Sequence, residues 1–499
     1  MTDRSLGGVR QLQEDIFNSL SLGQDFSFGF RRNLAKRISQ LFETPLGSVV
    51  PQVLAATELP NSFIPLCYKG ISFSSRNFSF LVSRRVKIRL WSQLMFKVFL
   101  VQLAILWPFR KRFQKVMKFT FLFSLTATQI SHAKSLRGLS EFLNEPRFGL
   151  NSELDLILVE GQIALLSRRS WKRLKVTRSI PLYIARNFFS CRIRGRLILQ
   201  SFSIIFAIRY WAKSNPIILI GAFALIEESI YNQFLREYPR TTLITTPSQL
   251  TIQSIAFDIY SDNELVRKIM LWYSSIGIPI TYTGIHAPLI DESIYSCASL
   301  NEQWVWTESH GKYLENINHV PFVVKGSMLF YPKSSVSIAR RSRTKRIIIF
   351  DTTPIDLAQP TEYLYSTENM HQFIDDIVKT VSTLESVTKS NIEIFLKPKR
   401  ETHKIHAQSY LSLLAKYAAT GRIILVSPSE SIYDLIRSAH AVISIPATSP
   451  AIIAKEEGVA SCYYTGMREV ELPVTWESMP VIRSPKKLSD FLEHSLELS

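Results

Sequence analysis

The last third of the chain alternates short, almost wholly apolar runs with helical stretches, and this pattern limits the fold more than any other feature. The runs are RIIIF at 346–350, IEIFL at 392–396, IILV at 423–426, AVISI at 441–445 and VASCYY at 459–464. Strands that are apolar throughout, rather than at every second residue, belong to a sheet covered on both faces. The helical stretches between them, such as NMHQFIDDIVKTVSTLESV at 369–387, supply the crossovers that parallel strands need. A similar series runs through 215–330, with strands expected in NPIILIGAF (215–223), TTLITTPS (241–248), KIMLWYSS (268–275), QWVWTES (303–309) and PFVVKGSMLF (321–330). A basic, serine-rich joint at 334–346 divides the two series.

The expected fold is therefore α/β: two Rossmann-type domains at 151–338 and 346–483, a closing helix at 484–499, and a basic, largely helical region at 1–150. A chain of 499 residues has room for that. Its 46% apolar and 20% charged residues exclude a disordered or fibrous class. Cys67, Cys191, Cys297 and Cys462 stand far apart, as reduced thiols do, and no metal site is expected from them.

Charge is distributed unevenly. The net +18 arises in the first part of the chain, and the 82 residues from 59 to 140 contain 14 Lys/Arg and no acid. An anionic partner is implied, either phospholipid or nucleic acid. No zinc-finger, RNP-like or helix-turn-helix pattern accompanies the charge, so nucleic acid is not expected. Within this stretch, residues 84–118 place Trp91, Trp107 and Phe109 at the ends of an apolar segment flanked by basic clusters. A helix lying at an anionic membrane surface fits best; a buried helix with solvated ends, or a full span, are the alternatives. FTFLFSLTA at 119–127 is expected to pair with it as a second helix. The first fifteen residues carry acids and no apolar core, which predicts a cytoplasmic protein held peripherally at the inner membrane.

Three loops follow strands of the second series directly, so they should converge at one sheet edge. They are KPKR with Lys397, Lys399 and Arg400, SPSE with Ser427, Ser429 and Glu430, and PATSP with Thr448 and Ser449. Cationic side chains neutralise phosphate, and a Thr-Ser-Pro helix start offers hydroxyls and backbone N–H groups. Taken singly, each loop also reads as a surface turn or a helix cap, Ser427 and Glu430 having capping-box spacing. In the first series, Tyr273 and Ser274 at a strand end and the turn Gly326-Ser327 are candidates to face the ligand. Candidates for a general base are His286, Asp291 and Glu292 in GIHAPLIDE, and Glu308 and His310 in WTESHGK.

The stretch from KPKR to the final strand resembles the bacterial polysaccharide-biosynthesis proteins named for a Pro-Phe-Thr-Ser motif. Pro446, Thr448, Ser449, Pro450 and Ala451 match that motif, with Ala447 replacing its aromatic residue. IMLWYSS (269–275), WVWTES (304–309) and VKGSMLFYP (324–332) are similar too, so the resemblance covers roughly 215–470. It implies a GT-B-like, metal-independent glycosyltransferase of surface or capsular polysaccharide or lipopolysaccharide biosynthesis. Such an enzyme uses a nucleotide-sugar donor, CMP-linked being one option, and a glycan or lipid-linked acceptor, with no further cofactor. Lys397 then takes the place of the histidine in the His-Pro motif of capsule sialyl- and Kdo-transferases, and Thr448-Ser449 that of their hydroxyl pair. One departure stands out: where many GT-B enzymes carry a ribose-binding Glu, this chain has Ile453, and acids come only at Glu456-Glu457. A nucleotide-sugar epimerase and a non-catalytic glycan-binding protein on the same scaffold therefore stay open.

Overall fold

A computed structural model describes residues 26–39, 79–106, 118–125, 145–148, 155–161, 174–177, 179–246, 254–259, 266–272, 299–328, 344–352, 354, 365–399, 406–428, 430–446, 448–466 and 479–497, with short strand pieces between them. Two parallel sheets dominate it.

The first sheet has seven strands: β1 (Lys118–Leu125), β2 (Asp155–Gly161), β3 (Leu174–Thr177), β4 (Thr241–Thr245), β5 (Arg267–Leu271), β6 (Glu302–Val305) and β7 (Phe322–Val324). Their spatial order is 7-6-5-4-1-2-3, every pairing parallel. The second has six: β8 (Lys345–Phe350), β9 (Ile392–Lys397), β10 (Ile424–Leu425), β11 (Ala441–Ser444), β12 (Ala460–Tyr464) and β13 (Val481–Ile482). These are ordered 10-9-8-11-12-13, again all parallel. Both sheets therefore contain the doubly wound order 3-2-1-4-5-6, counted within each sheet, which leaves a crevice where the winding reverses. The chain forms the expected pair of Rossmann-type α/β domains.

Helices flank both sheets: α1 (Phe28–Ser39), α2 (Arg84–Leu106), α3 (Ile180–Asn187), α4 (Cys191–Ser214), α5 (Ala222–Glu237) and α6 (Glu308–Asn318) in the first part. In the second they are α7 (Thr367–Thr388), α8 (Gln408–Ala419), α9 (Ile432–Ser438), α10 (Ser449–Glu456) and α11 (Pro485–Leu496). Side chains of a strand alternate between faces, and the cores follow that alternation. Phe119, Phe121 and Phe123 of β1 pack into one cluster with α1, α2, α3 and α5. Leu122, on the other face, joins a cluster that also takes in Ile348 and Phe350 of β8 and residues of α9 and α10, so one apolar core joins the two domains. Ile347 and Ile349 face the third cluster, with α7, α8 and the closing helix α11.

Three sequence expectations are corrected. Within FTFLFSLTA, the described residues 119–125 are strand and not helix: β1 lies between β2 and β4. The first domain consequently begins before residue 150, and α1 and α2 are layers on its sheet rather than a separate region. Between those helices the described residues also include a three-stranded antiparallel piece, Phe63–Pro65, Ile71–Ser74 and Ser79–Val82. NPIILIGAF is a 3₁₀ turn, Pro216–Ile220, leading into α5. Its apolar run reflects burial on several sides, since Ile217, Ile218 and Leu219 are all buried. A strand and a buried turn of this length carry the same sequence signal.

Candidate functional site

The site is built at the carboxyl edge of the second sheet, where β8 is flanked by β9 and β11. Phe350 is in register with Lys397 on one side and Ser444 on the other. At ~4.8 Å between neighbouring strands, Lys397 and Ser444 stand about 10 Å apart across β8. Ile392, Ile394 and Leu396 point to the opposite core, so Lys397 shares the face of Phe350.

Asp351 organises the KPKR turn. Its Oδ1 accepts the Lys399 backbone N–H at 2.9 Å and its Oδ2 accepts the Tyr410 hydroxyl at 2.9 Å. Lys397 is 3% exposed, and its ammonium donates to the Pro428 carbonyl at 2.7 Å, tying the KPKR turn to the SPSE turn. Burial pulls the Lys397 pKa down to about 8, against the opposing pull of the Asp351 and Glu430 carboxylates. A cation is therefore held, partly desolvated, at the crevice of the sheet. Lys399 is exposed beside it.

The PATSP loop closes the other side. Thr448 is the N-cap of α10, yet its side chain makes no capping bond and donates instead to the Ile445 carbonyl at 2.6 Å. Pro450 occupies the first turn, where a missing N–H costs nothing. The loop is braced from both sides by phenols: Tyr365 donates to Pro446 O at 3.0 Å and Tyr463 to Thr448 O at 2.9 Å. Two hydroxyls at this edge, Thr352 Oγ1 after β8 and Ser444 Oγ at the end of β11, are buried and find no hydrogen-bond partner among the described residues. Buried hydroxyls are normally paired, and two orphans at a sheet's reversal point mark a place where a polar ligand would complete them.

The remaining candidates are scattered. Ser427 and Glu430 are exposed and make a turn, Glu430 N–H to Ser427 O, at 3.0 Å. The cap of α9 is Ser431, accepting from Asp434 N–H, so the helix cap lies four residues beyond Ser427, where the capping-box spacing places it. Gly326 and Ser327 sit at the joint between the domains. Arg147 donates to Lys325 O at 2.6 Å and Ser327 O at 2.7 Å; the Ser327 N–H donates to Glu456 at 3.1 Å, and Tyr433 donates to Ser327 Oγ at 3.3 Å. This turn therefore meets the far end of α10, about 10 Å from Ser449 at 1.5 Å per residue.

His310 is fully buried, edge-on to Trp272 at 5.4 Å, and desolvation pushes its pKa down to about 3. It stays neutral at working pH and is a core residue, which removes it from the candidate bases. Glu308 opens α6, half-exposed and 3.5 Å from Lys312. Tyr273, Ser274, His286, Asp291, Glu292, Arg400 and Ser429 lie outside the described residues. Among the described residues, no cluster of His, Cys, Asp and Glu could hold a metal ion.

Ile453 is fully buried in the interdomain core. The acids that follow are engaged elsewhere: Glu456 with Ser327, and Glu457 with Arg437 at 2.8 and 3.2 Å. Neither stands at position 453, where the resemblance leads one to expect a ribose-binding carboxylate. Asp351, Thr352 and Ser444 were not among the residues expected from sequence. The available signal was an acid placed straight after RIIIF, at the end of the strand from which the winding reverses.

Several solved structures are similar in fold. One is the Glycosylation Associate Protein (Gap123) complex from Streptococcus agalactiae, at 11% identity and a TM-score of 0.34, over 55% of this chain and 51% of that one. Another is a TarM mutant from S. aureus in complex with Fondaparinux, alpha-GlcNAc-glycerol and UDP, at 10% identity and a TM-score of 0.33, over 55% and 52%. Trehalose-6-phosphate synthase OtsA aligns at 9% identity and a TM-score of 0.42, over 77% and 92%. The chain spans about half the length of the first two. No curated protein matches it in sequence. A family model, that of the polysaccharide biosynthesis PFTS motif proteins, matches residues 207–492, more than half of the chain. The chain belongs to the polysaccharide biosynthesis PFTS motif protein family.

Proposed function

We propose that the protein is a glycosyltransferase that binds a nucleotide sugar at the crevice between β8 and β11 and transfers the sugar to a glycan or lipid-linked acceptor. The observation that carries this reading is the set of buried polar groups gathered there. A buried cation at Lys397 and the two unpartnered hydroxyls of Thr352 and Ser444 flank Phe350, beside the start of α10.

In this mechanism the donor's phosphate sits against Lys397 and the first turn of α10. A phosphate beside Lys397 raises its pKa, so the ammonium becomes fully protonated as the ligand binds. It then stabilises the charge that develops on the leaving phosphate, with the helix N-terminus adding fixed dipoles. Asp351 keeps the KPKR turn in place through Lys399 and Tyr410 and supplies Lys397 with a counter-charge. The acceptor's proton goes to a carboxylate of the first domain's loops, where Glu308 is the described candidate. The capsular or lipopolysaccharide product named by the resemblance belongs to this proposal.

One observation favours a second reading, a glycan-binding protein without turnover: Ile453 is buried where a ribose clamp would be. A thermal-shift screen against CMP-, CDP-, UDP- and GDP-linked sugars separates the two. A shift with one nucleotide class that disappears in Lys397→Ala supports the transferase; no shift with any of them, alongside binding to glycan, overturns it.

A further inference from the structure

We infer that the outer faces of α2 and α4 form a docking surface for an anionic lipid bilayer. Helix α2 is apolar on two sides. Val86, Leu90, Leu94, Val98, Val101 and Ile105 are buried against the first domain. Across the helix, Phe96 (61% exposed), Phe99, Leu103 and Leu106 (69%) face outward. At 100° per residue, these four and the exposed Ile88 and Met95 fall within an arc of about 100°. Helix α4 repeats the arrangement, burying Arg194, Leu197, Ser201 and Ile208 while Leu199, Phe202, Phe206 and Tyr210 (71%) stand outward in a row.

The two helices are held together. Arg194 of α4 is buried and donates to Ile105 O at the end of α2 at 2.9 Å, and also to Phe189 O at 2.9 Å and Arg186 O at 2.6 Å. Two apolar rows on paired outer helices exceed the scattered exposure normal for a soluble surface.

Charge identifies the occupant. Each helix carries five Lys/Arg and no acid. Exposed Arg84, Arg85 and Arg89 lie at the start of α2; Arg192 and Arg196 precede the apolar row of α4, and Arg209 and Lys213 end it. Apolar and aromatic residues bracketed by basic ones suit a headgroup layer with anionic lipid. A second copy docking through the same face would set these seven like charges against seven. Nucleic acid would have no use for the apolar rows. Helix α2 is long and apolar enough to cross a bilayer, but a crossing would strip its buried row from the core that holds β1. The surface expected within 59–140 thus lies on α2 and extends to a helix outside that stretch.

The test is co-sedimentation of the purified full chain with phosphatidylcholine vesicles, with and without phosphatidylglycerol. The expected result is binding that needs the anionic lipid and weakens with salt. In Phe99→Ser/Phe206→Ser it should fall by about tenfold or more, with the thermal melt unchanged because both residues are exposed. Arg84→Gln/Arg85→Gln/Arg192→Gln/Arg196→Gln keeps the apolar rows and should lose the preference for anionic vesicles. Three results overturn the inference: no binding by the wild type, binding by both variants equal to the wild type's, or self-association lost in the Phe variant without any vesicle binding.

Discussion

Replacing Lys397 by Met should stabilise the second domain at neutral pH while removing nucleotide binding. The ammonium is 3% exposed, and its pKa falls from 10.5 to about 8, chiefly through burial. A shift of that size corresponds to ~3 kcal/mol of differential stability between its charged and neutral forms, at ~1.4 kcal/mol per unit. Methionine keeps the apolar stem and discards the charge, at the cost of the bond to Pro428 O, about 1 kcal/mol. Asp351 would keep its bonds from Lys399 and Tyr410, so no buried carboxylate is orphaned. The net expectation is a gain of roughly 1–2 kcal/mol at pH 7. The sign follows from linkage: between about pH 8 and 10.5 the unfolded chain binds more protons than the native one at this site. Wild-type stability therefore gains from this group as pH rises through that window, and the advantage of Met shrinks over the same range. Hydrogen exchange at the β8 and β9 amides reads the domain's opening free energy, and calorimetry reads the nucleotide. A variant less stable than wild type at pH 7, with a pH dependence parallel to it, would refute the reasoning.

Two further substitutions test the site's limits. Ile453→Glu should not restore a ribose clamp: it places a carboxylate in the interdomain core, so a loss of several kcal/mol is expected in denaturant melts, with no gain in nucleotide affinity. His310→Gln should leave nucleotide binding unchanged and flatten the acid side of the stability curve. The native imidazole titrates near 3 against 6.5 when free, so wild-type stability falls as pH drops through that interval, and the variant's should fall less.

The second domain was legible because its central strands obey one rule, although the edge strand β10 leaves Ile424 and Leu425 exposed. RIIIF, AVISI and VASCYY are buried on both faces, and their loops lie where a doubly wound sheet must put them. The first domain was legible only from β4 onward. FTFLFSLTA contains no turn signal and directly follows a basic helical stretch, so its strand character depends on β2 and β4 pairing on either side, which no local pattern reveals. The site divides in the same way. Lys397 and Thr448 announce themselves as a cation and a cap after apolar strands. Thr352 and Ser444 became visible only as hydroxyls left unpaired by the fold, and His310 shows the converse, a residue of catalytic type placed beside Trp272 in the core.

Helix α10 connects these observations. Its first turn, with Thr448 and Pro450, borders the crevice proposed to take the donor's phosphate, and its last residue, Glu456, accepts the Ser327 N–H of the first domain. Ala451, Ile452, Ile453 and Ala454 between them belong to the core shared by both sheets. A short helix packed this way moves as a unit, so a ligand drawing on its N-terminus pulls against the joint made by Arg147, Ser327 and Tyr433. This also accounts for Ile453. A carboxylate at that position would face the interdomain core, where Ile453 instead is one apolar side chain that fastens the two halves together.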